Sequence, residues 1–108
     1  HKKQNMKKLQ QEIKQFCEEN GLISPPEHRV LDLVSEVGEV AKEVLKMTDY
    51  GRQLSQPREE VKSEIGDVLY VLITVANTLD VDLEDALKEV LEKYKTRLAK
   101  GGAGSENK

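Results

Sequence analysis

Apolar side chains recur at three- and four-residue steps through most of this 108-residue chain, and that period belongs to a helix with one buried face. Met6, Leu9, Ile13 and Phe16 keep it first. Asn20-Gly21 then supplies a stop, because glycine readily takes the left-handed conformation that ends helices. Ser24-Pro25-Pro26-Glu27 reads as a capping box with proline at the first helical position. The second helix carries Val30, Leu33, Val34, Val37, Ala41, Val44 and Leu45 on one face and ends between Met47 and Gly51. The polar stretch from Thr48 to Pro57 reads as a loop, and a third helix is expected from near Pro57 to about Leu79. Asp82 can cap a fourth, where Leu83, Ala86, Leu87, Val90, Leu91, Tyr94 and Leu98 continue the spacing. No alternating pattern is left over for a strand. The expected fold is therefore all-α, a four-helix bundle-like subunit. It should form a single domain over residues 1–100, with a polar, glycine-rich tail at 101–108 that predicts disorder.

The third helix is apolar around most of its circumference, which marks a buried helix. A chain of this length buries roughly 60–70% of its unfolded surface, too little to cover that helix on every side. A homo-oligomer whose interface includes the third helix is expected. Seventeen basic against twenty acidic residues give a net charge of −3, which excludes the large basic excess that binds a nucleic-acid polymer. The longest apolar stretch, Val68 to Ala76, is broken only by Thr74 and is too short to span a bilayer. The single Cys17 excludes an internal disulfide and suits a reducing compartment. With a polar N-terminus that lacks a signal-peptide pattern, a cytoplasmic location is expected.

The chain writes nearly the same six residues twice, 28 positions apart: Ser35-Glu36-Val37-Gly38-Glu39-Val40 and Ser63-Glu64-Ile65-Gly66-Asp67-Val68. Residues three apart on a helix are neighbours, with Cβ atoms about 5–6 Å apart, so each copy makes an acidic pair. Two facing pairs would form a cage of four carboxylates, the oxygen-rich surrounding that Mg²⁺ prefers. The plainer reading is that the acids face water. On the second helix Glu39 falls on the side of Asp32 and Glu43, away from the apolar stripe, with Glu36 at its edge. Three features oppose it. Gly38 and Gly66 each cost about 1 kcal/mol relative to alanine inside a helix, yet fall at the same point between the acids, which marks function or close helix contact. No Lys or Arg occurs between Lys62 and Lys88, so Glu64 and Asp67 lack a basic neighbour. Glu64 also projects between Val71 and Val75. Carboxylates about 4 Å apart repel by about 1 kcal/mol in water and about 4 kcal/mol at an effective dielectric of about 20. Several partly buried acids can share a site only with protons or a cation present, and a divalent cation is the simpler answer.

Glu36-Val-Gly-Glu39 followed by Glu64-Ile-Gly-Asp67 resembles the E-x-x-E and E-x-x-D pair of the MazG-like nucleoside triphosphate pyrophosphohydrolases, in the all-α NTP pyrophosphatase superfamily. The flanking residues and the connector Leu79-Asp-Val-Asp-Leu-Glu-Asp-Ala-Leu87 are similar too, so the resemblance covers about residues 28 to 98. It implies Mg²⁺-dependent hydrolysis of a nucleoside triphosphate to the monophosphate and pyrophosphate, with Mn²⁺ an acceptable substitute and nucleotide house-cleaning as the role. It implies homodimers or homotetramers. By matched position Glu36, Glu39, Glu64 and Asp67 would ligate metal, with the general base among them unassigned. Lys93-Tyr94-Lys95-Thr96-Arg97 resembles the family's Lys-aromatic-x-x-Arg, which makes Lys93 and Arg97 candidate phosphate contacts; a solvated basic helix end is the alternative. Ser35 stands where many members carry a second glutamate, Leu91 where asparagine is common, and the third helix lacks an aromatic often found there. A non-catalytic helical interaction module, or a family member that binds nucleotide without hydrolysis, stays open at this point. His28 reads as an ordinary first-turn residue, and Asn77, inside the apolar third helix, needs hydrogen-bond partners if buried.

Overall fold

The structure, a computed structural model, describes residues 5–54 and 58–101. Four helices account for it: α1 (Met6–Glu19), α2 (Pro26–Met47), α3 (Glu59–Thr78) and α4 (Leu83–Ala99), with no strand among the described residues. The fold is all-α. Asn5 caps α1 by accepting the Lys8 N–H at 2.9 Å, and Asp82 caps α4 by accepting the Asp85 N–H at 3.0 Å. Satisfying one of a helix's orphan donors in this way is worth about 1 kcal/mol. Residues 55–57, where the start of the third helix was expected, and 102–108, most of the expected tail, lie outside the described residues.

The capping box does not form. Pro25, with φ −62° and ψ 152°, is the extended N-cap of α2, and no side chain caps that terminus. The cause is local: a residue before proline is pushed out of the helical region. Pro25 therefore cannot be the first helical residue while Pro26 follows it, and the helix begins one position later. The helix ends are better matched. After α1 the Leu22 N–H reaches the Cys17 carbonyl at 2.8 Å around Gly21, whose φ is +65°. The same five-residue closure ends α2 (Tyr50 to Leu45, 2.7 Å) and α3 (Val81 to Ala76, 2.8 Å), with Asp49 and Asp80 taking the left-handed residue.

α1 and α2 pack on α3, and α4 packs on α1. Arg58 at its start meets Glu43 near the end of α2 (3.1 Å), which fixes that pair as antiparallel. On the other side Gln10 bonds Asn77 and the Cys17 thiol touches the Tyr70 hydroxyl at 3.4 Å, so α1 also runs antiparallel to α3. Phe16 adds an edge-on contact to Tyr70, with ring centroids 6.4 Å apart. Gln10 is the joint of the molecule. Its Nε2 donates to Asn77 Oδ1 (3.0 Å) and to the Val81 carbonyl (3.0 Å), and its Oε1 accepts the Leu83 N–H (2.9 Å). Asn77 returns a bond from Nδ2 to the Gln10 carbonyl at 3.0 Å, which supplies the partners a polar residue inside an apolar helix requires.

One expectation about α2 is reversed. The residues turned toward α3 are Arg29, Leu33, Glu36, Val40, Glu43 and Met47, and Glu43 is the buried residue of the helix. The apolar stripe Val30, Val34, Val37, Ala41 and Val44 faces outward. Glu43 was placed among the solvated acids because the stripe was assigned to the interior. It is held instead by Arg58 and, at 3.7 Å, by Lys46. On α3, Val71, Ile73, Thr74 and Ala76 are buried, whereas Ile65, Leu69, Leu72 and Leu79 are exposed. The radius of gyration is 17.0 Å, against about 13 Å for a compact chain of this length. The subunit is open, and much of its apolar surface faces outward.

Candidate metal centre

The antiparallel α2–α3 pair brings the two copies of the repeated motif level with one another. Glu36 from α2 and Glu64 and Asp67 from α3 each offer a carboxylate oxygen, all within 4.8 Å of one another. Glu36 and Glu64 are half-buried and Asp67 is exposed, so the group sits at the mouth of the helix pair. None of the three forms an ion pair with a Lys or Arg among the described residues.

That crowding shows in the protons. Glu64 is pushed above the usual carboxylate range, first by desolvation, then by the hydrogen bond it shares with Asp67 and the negative charge of Asp67, Glu39 and Glu36. Glu39, the fourth acid of the motif, lies outside the 4.8 Å group and pairs with Lys42 Nζ at 3.2 Å. Lys42 in turn is pushed up, by its hydrogen bond to Glu39 and then by the charges of Glu39, Glu43 and Glu64. It stays cationic at the edge of the cluster. Sequence reasoning passed over Lys42, although its spacing of three from Glu39 was a signal for an ion pair.

Gly38 and Gly66 do not mark close helix contact inside the subunit. A Cβ built at either would meet nothing within 4 Å. Lys93 and Arg97 bracket Tyr94 on α4, at 5.5 and 5.8 Å from the ring centroid, and line a shallow groove with Lys88, Glu89, Glu92 and Thr96. None of the motif acids lines that groove. A cavity of about 250 Å³ lies among Cys17, Leu22, Arg29 and Thr74, and it too is free of the motif acids. His28 is exposed at the start of α2.

The residues present fit a hard divalent cation. Every donor is a carboxylate oxygen, the spacing suits shared coordination, and none of the three acids is paired with a Lys or Arg among the described residues. Glu36, Glu64 and Asp67 would hold such an ion, while Glu39 is paired with Lys42.

Known proteins share the sequence and the fold of this chain. Residues 25–101 match the model of the MazG nucleotide pyrophosphohydrolase domain. YpjD of Bacillus subtilis, an uncharacterised protein, is 39% identical over 97 residues, 85% of each chain. Its crystal structure superposes with a TM-score of 0.75 at 34% identity, covering 89% of this chain and 92% of that one. The crystal structure of a Bacillus-conserved MazG protein, described as a nucleotide pyrophosphohydrolase, superposes at 0.73 with 32% identity over 87% of this chain and 93% of that one.

Proposed function

The chain belongs to the MazG nucleotide pyrophosphohydrolase family, and from that premise we propose that it hydrolyses nucleoside triphosphates between the α and β phosphates. The products are a nucleoside monophosphate and pyrophosphate, the dependence is on Mg²⁺ (with Mn²⁺ as substitute), and the role is to clear surplus or non-standard nucleotides in the cytoplasm. The observation that carries this is the convergence of Glu36, Glu64 and Asp67 within 4.8 Å without a paired cation. When bound there, Mg²⁺ supplies neutralisation of phosphate oxygens and a lowered pKa for the attacking water.

The side chains do the rest. Glu36, Glu39, Glu64 and Asp67 orient the water in line with the scissile P–O bond, and one of these carboxylates takes its proton as that bond breaks. The leaving pyrophosphate departs with the bonding electron pair. Lys93 and Arg97 bind phosphate oxygens, a role that suits charge-assisted donors held on one helix face. The working form is a homodimer or homotetramer, which accounts for the apolar surface left open on α2, α3 and α4.

The test is to incubate the protein with single (d)NTPs and Mg²⁺ and identify the products. Monophosphate with pyrophosphate is expected. Diphosphate with orthophosphate, or no Mg²⁺ dependence, would overturn the proposal.

A further inference from the structure

The cavity of about 250 Å³ among α1, α2 and α3 has no part in the chemistry described so far. Its place along the helices ties it to the carboxylates. Arg29 precedes Glu36 by seven residues and Thr74 follows Asp67 by seven, two helical turns along the same faces. At about 1.5 Å per residue the cavity lies about 10 Å from the acidic group along the α2–α3 groove, with Leu33 and Tyr70 on the turn between. That separation matches the reach from the α-phosphorus of a nucleotide to its base. The volume falls below the roughly 300–1,000 Å³ of pockets that enclose a whole drug-sized ligand. It accommodates a base and leaves the phosphates outside, toward the carboxylates.

What the cavity offers a base is set by which polar groups are already used. Arg29 is the buried cation of its wall, with a side chain 12% exposed. Its Nη2 donates to the Leu22 carbonyl, and the Asp32 carboxylate stays 3.8 Å from Nη1, beyond hydrogen-bond reach. A guanidinium has five N–H groups and no acceptor, so donors are left over. The Asn77 amide is spent on Gln10 in both directions. Thr74, 3% exposed, gives its hydroxyl proton to the Val71 carbonyl at 2.6 Å, and Thr78 gives its own to Val75 at 2.8 Å. Both oxygens are left as acceptors, and the exposed Glu18 adds another. Among the described residues no aromatic side chain lines the cavity. A base in it is read at its edge by hydrogen bonds, not by stacking.

We propose that this cavity receives the base of the nucleotide and that Arg29 selects bases carrying a ring carbonyl. Guanine and uracil present a carbonyl oxygen beside a ring N–H. The oxygen takes a hydrogen from Arg29, and the N–H meets an acceptor from Thr74 or Glu18. Adenine and cytosine present an amino group beside a bare ring nitrogen. Their amino hydrogens face guanidinium hydrogens, and Arg29 has no lone pair to offer them. A buried donor left unpaired is what makes a hydrogen-bonding site reject the analogue that lacks the acceptor. The proposal rests on the reading of the carboxylates as the site of triphosphate hydrolysis, and it narrows that substrate to the keto-base nucleotides.

Calorimetric titration with nucleoside monophosphates and Mg²⁺ tests it without turnover, GMP against AMP and UMP against CMP. In each pair that binds, the keto member is expected to bind about tenfold or more tightly than its amino partner. Arg29→Met, which keeps the length and loses the donors, should bring the members of a pair within about twofold. Far-UV circular dichroism checks that the variant is folded, and the wild-type comparison decides alone if it is not. Equal affinity within the pairs, tighter binding of AMP or CMP, or no binding of any of the four at millimolar concentration would overturn the proposal. So would a preference undiminished in folded Arg29→Met. Hydrolysis of all the common triphosphates with equal kcat/KM would overturn it as well, and would leave the hydrolytic reading intact. Keto-selective binding by a protein that cleaves no triphosphate would contradict the hydrolytic reading and leave the assignment of the cavity standing.

Discussion

Replacing Gln10 with alanine should unhinge the subunit more than any other single change on its surface helices. The side chain is 9% exposed and makes three hydrogen bonds, to Asn77, Val81 and Leu83. Each is worth about 1 kcal/mol net, and a part-buried N–H or C=O left without a partner costs more. The expected loss is about 2–4 kcal/mol, a large share of the roughly 5–15 kcal/mol that stabilises a domain of this size. The melting temperature should fall by roughly 10–20 °C. The assay is denaturant unfolding followed by far-UV circular dichroism, with Gln10→Met as a control that keeps the side-chain length. A double-mutant cycle with Asn77→Ala should show a coupling of about 1 kcal/mol, because the two amides are direct partners. A loss below about 0.5 kcal/mol for Gln10→Ala would refute the assignment of this residue as the joint between α1, α3 and α4.

Other perturbations follow from the same geometry. Arg58→Ala strands the buried Glu43 carboxylate, and because Arg58 is one-third exposed and Lys46 remains, the expected cost in the same unfolding assay is about 1–2 kcal/mol. Glu64 binds its proton more tightly in the folded protein than in the unfolded chain, so its contribution is present below the ordinary value of 4.5 and is lost as pH rises through the raised one. Thermal melts of the metal-free protein should therefore decline from that pH toward neutrality, and Glu64→Gln should flatten the decline. Mg²⁺ at about a hundredfold over its dissociation constant should stabilise the wild type by about 2.7 kcal/mol. In that melt Glu36→Ala should erase the shift, while Glu39→Ala, which removes an acid outside the close group, should retain part of it.

Much of this molecule was legible in the sequence, and the failures have physical causes. Helix number and type followed from the apolar period, and Asp82 and Asn20-Gly21 worked as caps because their signals are local to the backbone. Ser24 did not, since the conformational restriction ahead of Pro26 overrode its preference for the N-cap. Asp49 and Asp80 end helices in the left-handed region, where glycine was the expected signal. The repeated motif pointed to four facing acids, of which Glu36, Glu64 and Asp67 converge while Glu39 turns to Lys42, because spacing within one helix does not set how that helix is rotated against the next. The burial of Glu43 was hidden. An apolar stripe shows that something will cover a face, but not whether the cover is the same chain, and on α2 the chain's own partner is the stripe that carries Glu36 and Glu43. The Gln10–Asn77 pairing was likewise hidden, since a sequence separation of 67 carries no periodic signal.

The central claim is that Glu36, Glu64 and Asp67 together hold a divalent ion, and calorimetric titration of Mg²⁺ into the protein, with a non-hydrolysable nucleoside triphosphate present, measures it most directly. Saturable binding that disappears in Glu64→Gln and in Asp67→Asn, while both variants keep their helical circular dichroism, is the predicted result. Unchanged Mg²⁺ binding in those folded variants would contradict the account.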